Sequence, residues 1–191
     1  MFEPLLVSTS IVALAEVGDK TQLLSLVLAA KYRKPLPIIL GVFAATLVSH
    51  AGAGGVGALL SSVLSPAILN WAVVASFLLM AGWILVPDKL DDADAGLEKS
   101  HYGVFITVAL AFFIAEMGDK TQIATVALAA RFHEFTAVVA GTTLGMMIAN
   151  VPVIFLGHRF ADKLPAKAVH IVAAVMFVVL GGLALRTALM S

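Results

Sequence analysis

The chain has 191 residues, 61% of them hydrophobic and only 13% charged, with twelve Lys/Arg offsetting twelve Asp/Glu. A soluble domain carries about 25% charge and about 45–50% apolar residues, so that class is excluded; balanced charge also offers no basic surface for nucleic acid and no acidic solvating tail. No cysteine is present, which removes disulfide scaffolds and thiolate metal or redox sites. What remains is an all-α integral membrane protein, with a mean hydropathy of +1.03 and length for about six spans of roughly 20 residues each.

Six apolar segments follow one another at roughly 4–30, 36–60, 67–86, 102–130, 136–157 and 168–189. Polar breaks separate them at 31–35, 61–66, 87–101, 131–135 and 158–167. The first segment does not read as a cleavable signal peptide, because Glu3 precedes it, no Lys or Arg does, and charges interrupt it. Lys31, Arg33, Lys34, Lys89, Lys99, Arg159, Lys163 and Lys167 fall in the breaks after the odd-numbered segments, against Arg131 and Arg186 on the other side. The positive-inside bias therefore predicts odd-numbered breaks in the cytoplasm and both termini outside, in the periplasm.

The chain also repeats itself at an offset of 100. Between positions 15–30 and 115–130, ten of sixteen residues are identical, and the register continues through Gly41/Gly141, Phe77/Phe177 and Gly82/Gly182. Residues 1–86 and 102–191 thus read as two three-helix repeats joined by the cytoplasmic linker 87–101. Three crossings per half make the repeats inverted, an architecture of many secondary transporters. The linker holds Asp88, Asp91, Asp92, Asp94 and Glu98, either as a solvated connection or as a vestibule that attracts cations.

Within the repeat stands one motif in two copies, Glu16-Val17-Gly18-Asp19-Lys20-Thr21-Gln22 and Glu116-Met117-Gly118-Asp119-Lys120-Thr121-Gln122, each near the middle of an apolar segment. A charge at that depth costs at least ~2.5–3.5 kcal/mol on insertion scales, so six charges in equivalent places imply a use. On a continuous helix the Glu, Asp and Lys of each copy would share one face. Gly18 and Gly118 would permit close helix approach or local unwinding. A purely structural use is an ion-pair latch, Glu16–Lys20 and Glu116–Lys120, which leaves both aspartates unexplained. A binding use employs all four carboxylates; with both lysines charged the site holds −2, matching one divalent cation or two protons. The oxygen donors Glu16, Asp19, Gln22, Glu116, Asp119 and Gln122 suit Mn²⁺, Ca²⁺ or Mg²⁺. Lys20, Thr21, Lys120, Thr121, Ser25, Thr125, His50 and Asn150 are secondary candidates, His50 as nitrogen donor or proton relay. Stripes of small residues, Gly41, Ala45, Ser49, Ala53 and Gly57, and Gly141, Gly145 and Ala149, predict close packing of the second and fifth segments against the site. Met117, Met146 and Met147 read as core, and His101, His133, His158 and His170 as interfacial.

The doubled Glu-x-Gly-Asp-Lys-Thr motif in a six-segment chain resembles the Gdt family of membrane cation/proton exchangers. The resemblance covers essentially the whole chain, and the motif's acidic positions fall on Glu16, Asp19, Glu116 and Asp119 without departure. It implies export of Mn²⁺ or Ca²⁺ from the cytoplasm in exchange for protons, at a bacterial inner membrane. The metal is then transported substrate and no cofactor is needed. Protons and the bilayer are the other partners, and oligomers are left open. Cationic amino-acid export of the lysine type is the alternative, and a passive cation channel a third reading. An enzyme is not expected, since no zinc-protease, nucleophile-elbow or P-loop motif occurs.

Overall fold

A computed structural model describes residues 2–86, 103–156 and 166–190. The acidic linker 87–101 and most of the break at 158–167 lie outside the described residues, as do the side chains of His101, His158 and His170. Among the described residues there are eight helices and no strand: α1 Phe2–Ala15, α2 Lys20–Tyr32, α3 Pro35–Val63, α4 Pro66–Trp83, α5 Val104–Glu116, α6 Lys120–Phe132, α7 Phe135–Leu156 and α8 Ala166–Met190.

Eight helices stand where six continuous ones are expected because the first and fourth apolar segments each break at the motif. Four helices, α3, α4, α7 and α8, are long and apolar enough to cross a membrane, while α1 and α5 are shorter apolar helices. Their outer faces are apolar, with Leu36, Val48, Leu79, Phe155 and Val179 exposed. The interior instead contains Glu16, Asp19, Thr21, Ser25, His50, Glu116, Asp119, Lys120 and Asn150, all at most 4% exposed. Apolar groups outside and ionisable groups inside is the arrangement a bilayer solvent selects. The chain is a multi-pass membrane protein.

Packing follows the offset of 100. α1 lies along α7 and α5 along α3; α2 meets α7 and α6 meets α3; α4 packs on α8. The small-residue stripes make these contacts. A Cβ on Gly41 would meet the Phe105 carbonyl at 2.9 Å, and one on Gly141 would meet the equivalent Leu5 carbonyl at 2.6 Å. Gly145 faces the Thr9 carbonyl and Gly57 the Val126 carbonyl in the same manner. Helix backbones touch there because no side chain intervenes. The registers also give direction: Gly141 and Gly145 meet Leu5 and Thr9 in ascending order, so α7 runs parallel to α1. Phe77 and Phe177, equivalent positions on α4 and α8, bring their rings to 6.2 Å. They anchor one apolar core, while Ile38, Val42, Val108 and Phe112 form a second between α3 and α5.

Tight reversals close α2 and α6. Arg33 and His133 adopt left-handed backbone with φ of 52° and 55°, and each donates its N–H to the carbonyl of Ala29 or Ala129. Pro35 then opens α3, where its fixed φ and missing N–H do no harm.

A candidate cation site between two broken helices

The break in each motif copy has a local cause. Gly18 and Gly118 take φ of 80° and 73°, backbone that only glycine adopts without cost, so α1 and α5 cannot continue. Asp19 and Asp119 follow in extended conformation as N-caps of α2 and α6. Asp19 Oδ1 accepts from the Lys20 N–H at 2.9 Å. The expected single helical face bearing Glu, Asp and Lys therefore does not exist: Glu16 ends the chain's approach to the break, and Lys20 begins its departure. Both α2 and α6 aim the positive ends of their dipoles at the carboxylates, and α1 and α5 end there in carbonyls.

The glutamines hold the unwound turns. Gln22 Oε1 accepts from the Gly18 N–H at 2.8 Å while its Nε2 donates to the Ala149 carbonyl at 3.0 Å. Gln122 repeats this with the Gly118 N–H at 3.0 Å and Ser49 Oγ at 2.6 Å. Each amide thus ties a broken helix to the long helix of the other half.

At the centre, Glu16, Asp19 and Asp119 bring one carboxylate oxygen each to within 4.8 Å of one another, and all three side chains are buried. Oxygens bound to one hard cation lie at most about twice the metal–oxygen distance apart, roughly 4–5 Å, so this spacing is one a single ion can bridge. Glu116 stands beside the three rather than among them: its Oε1 accepts from Thr46 Oγ1 at 2.6 Å, and Ser49 also lies within reach of its carboxylate. Glu16 accepts from Thr21 Oγ1, and its Oε1 has no hydrogen-bond partner among the described residues.

The lysines pair across the halves rather than within a copy. Lys120 Nζ lies 3.6 Å from Asp19 Oδ1, and Lys20 Nζ lies 3.9 Å from Asp119 Oδ1. The two are not equivalent in setting. Lys120 is 1% exposed and donates to the Val86 carbonyl at 3.4 Å, whereas Lys20 is 21% exposed. The intra-copy latch does not form.

The secondary candidates surround this centre. Ser25 Oγ donates to Asn150 Oδ1 at 2.6 Å, and Asn150 Nδ2 donates to the Met146 carbonyl at 3.1 Å. Thr125 donates to the Thr121 carbonyl at 2.7 Å, and Thr121 lies 3.5 Å from Asp119 Oδ2. His50 is fully buried, and neither ring nitrogen has a hydrogen-bond partner among the described residues. Sequence reasoning missed Thr46 as a partner of Glu116 and counted Ser49 only as a small packing residue. The signal was available: hydroxyls one turn apart on an otherwise apolar helix, next to His50. A cavity of about 500 Å³ lined by Ser49, Gly52, Val56, Phe113, Met117 and Gln122 brings open space to the Ser49–Gln122 pair.

The chain is similar to several known proteins. Residues 4–92 and 104–191 both match the family model described as "Divalent cation/proton antiporter GDT1". A Vibrio cholerae protein named "Putative manganese exporter" is 52% identical over 177 residues, covering 92% of this chain and 87% of the relative. A GDT1-like protein of Synechocystis is 28% identical, covering 87% of this chain and 89% of the relative. GDT1-like protein 3 of Oryza sativa is 24% identical across 93% of this chain and 71% of its own length. No solved structure matches.

Proposed function

The chain belongs to the GDT1 family of divalent cation/proton antiporters, and from that premise we propose that it exports Mn²⁺ from the cytoplasm in exchange for protons. Its substrate is a divalent cation; the choice of Mn²⁺ draws support from the name of the Vibrio cholerae relative. The carrying observation is the meeting of Glu16, Asp19 and Asp119, two carboxylates from one motif copy and one from the other, with oxygens within 4.8 Å. Three hard oxygen donors converging in the protein interior form the core of a cation site. Glu116, Gln22 and Gln122 complete it, the glutamate as a neighbouring carboxylate and the amides as braces of the unwound turns.

Two motif copies contributing to one site suit transport by alternating access between inverted repeats. The registers support inversion: α7 runs parallel to α1, and α3 parallel to α5, where Gly41 meets Phe105 and, further along both helices, Thr46 meets Glu116. α3 itself turns back from α2 through the left-handed Arg33. Each α1–α2 and α5–α6 pair then makes one broken crossing, giving six in all, with both termini in the periplasm of a bacterial inner membrane. Protons compete with metal for the carboxylate oxygens, which couples the two fluxes. Lysine-type amino-acid export has no comparable support, because it needs no such convergence of carboxylates and the family carries divalent cations.

The test is reconstitution. Proteoliposomes holding the purified protein should take up ⁵⁴Mn²⁺ when a pH gradient is imposed, with lysine failing to compete. Uptake of radiolabelled lysine in place of Mn²⁺ would return the alternative.

A further inference from the structure

The two lysines of the site sit differently. Lys120 is sealed, 1% exposed, beside Asp19 and beneath the Val86 carbonyl. Lys20 is 21% exposed, and its closest charge partner, Asp119 Oδ1, lies at 3.9 Å, beyond hydrogen-bond range. Its flexible stem can therefore leave without breaking a hydrogen bond, whereas Lys120 would have to break one. Asp119 is also one of the three carboxylates that converge on a common point.

We propose that Lys20 is a tethered counter-cation: its ammonium faces Asp119 while the site is without metal and swings outward when a divalent cation binds. This rests on the proposed function and adds a residue that sets the site's affinity and its resetting. Charge supports the exchange. A divalent ion bridging Glu16, Asp19 and Asp119 would take up the Asp119 carboxylate that the Lys20 ammonium now faces, so metal and ammonium compete for one group. Like charges that close in a desolvated site repel strongly. The metal thus drives the ammonium out, and the returning ammonium displaces the metal on the release side. Lys120, closed in between the halves, remains in place as a fixed charge.

The test uses the full-length protein in detergent and in liposomes, with Mn²⁺ as the probe. Lys20→Gln removes the competitor, so Mn²⁺ should bind at least about tenfold more tightly by calorimetry, while net export slows because release loses its displacing charge. Lys20→Arg, which keeps the cation, should restore affinity to near the original value. In the unaltered protein, modification of Lys20 by a small amine reagent, read by mass spectrometry, should rise several-fold when Mn²⁺ is added. Binding that is unchanged or weaker in a folded Lys20→Gln protein, or Lys20 modification that falls on adding Mn²⁺, would overturn the inference alone. An unaltered protein that binds no divalent cation would overturn the proposed function and this inference with it.

Discussion

Lys120 Nζ stands 3.6 Å from Oδ1 of Asp19, so the lysine of one motif copy faces the aspartate of the other, both at 1% exposure. The contact ties the two halves of the chain together at their charged centre. Removing one member of a buried pair leaves the other's charge uncompensated, at a cost of about 3 kcal/mol or more. Asp19→Asn should accordingly lower the thermal midpoint of the protein, and the double variant Asp19→Asn/Lys120→Gln should recover most of that loss without recovering transport. Thermal unfolding in detergent checks it. A double variant no more stable than the single one would show that the pair is not what Asp19→Asn disturbs.

The four acidic residues divide in the structure. Glu16, Asp19 and Asp119 converge, and Glu116 stands beside them, held by Thr46. Losing one carboxylate ligand from so small a donor set should weaken Mn²⁺ binding by at least about a hundredfold in Glu16→Gln and Asp119→Asn. Glu116→Gln should abolish net transport while retaining binding within about tenfold. Calorimetry on the purified variants separates the two groups; equal losses in all three would make Glu116 a full ligand.

Much of this was legible in the sequence because it rests on composition and repetition. Membrane class followed from the apolar segments, and the motif from identity at an offset of 100. The broken helices did not follow. Glycine in an apolar segment is compatible with close packing as well as with unwinding, and only the φ of Gly18 and Gly118 decides between them. The lysine partners were misjudged for the same reason: i, i+4 spacing suggests Glu16–Lys20, but that geometry needs the helix that the glycine ends. Gln22 and Gln122 read as donors for a metal, and nothing local could reveal that their amides brace Gly18 and Gly118 against the opposite half.

Two glycines on α3 give a direct test of helix contact. A Cβ at Gly57 would stand 2.4 Å from the Val126 carbonyl oxygen, whereas one at Gly55 meets nothing within 4 Å. Gly57→Ala should force α3 away from α6 and destabilise by about 1–3 kcal/mol, loosening the Ser49–Gln122 bond nearby. Gly55→Ala should be neutral or stabilising by up to about 1 kcal/mol, as for any unobstructed helical glycine. Comparing the thermal midpoints of the two variants suffices; similar losses would contradict the packing described.

Orientation is open to labelling, since the natural chain has no cysteine. Single cysteines at Lys34, in the reversal after α2, and at Glu134, in the reversal after α6, should lie on opposite sides. In intact cells an impermeant thiol reagent should modify the cysteine at 134 and spare the one at 34. The reverse pattern would invert the proposed topology and the direction of transport with it.

In the proposed exchange, protons and a divalent cation use the same carboxylate oxygens in turn. Metal affinity should then rise with pH, because each proton lost from Glu16, Asp19 or Asp119 frees a ligand. An imposed pH gradient should likewise drive Mn²⁺ movement against its own gradient. The most direct measurement is ⁵⁴Mn²⁺ flux into proteoliposomes with the membrane potential clamped, the pH gradient being the sole driving force. Mn²⁺ should accumulate in the compartment from which protons leave, and Asp119→Asn should abolish this. Flux indifferent to the pH gradient, ending at equal Mn²⁺ concentrations on both sides, would contradict it and leave a passive pathway.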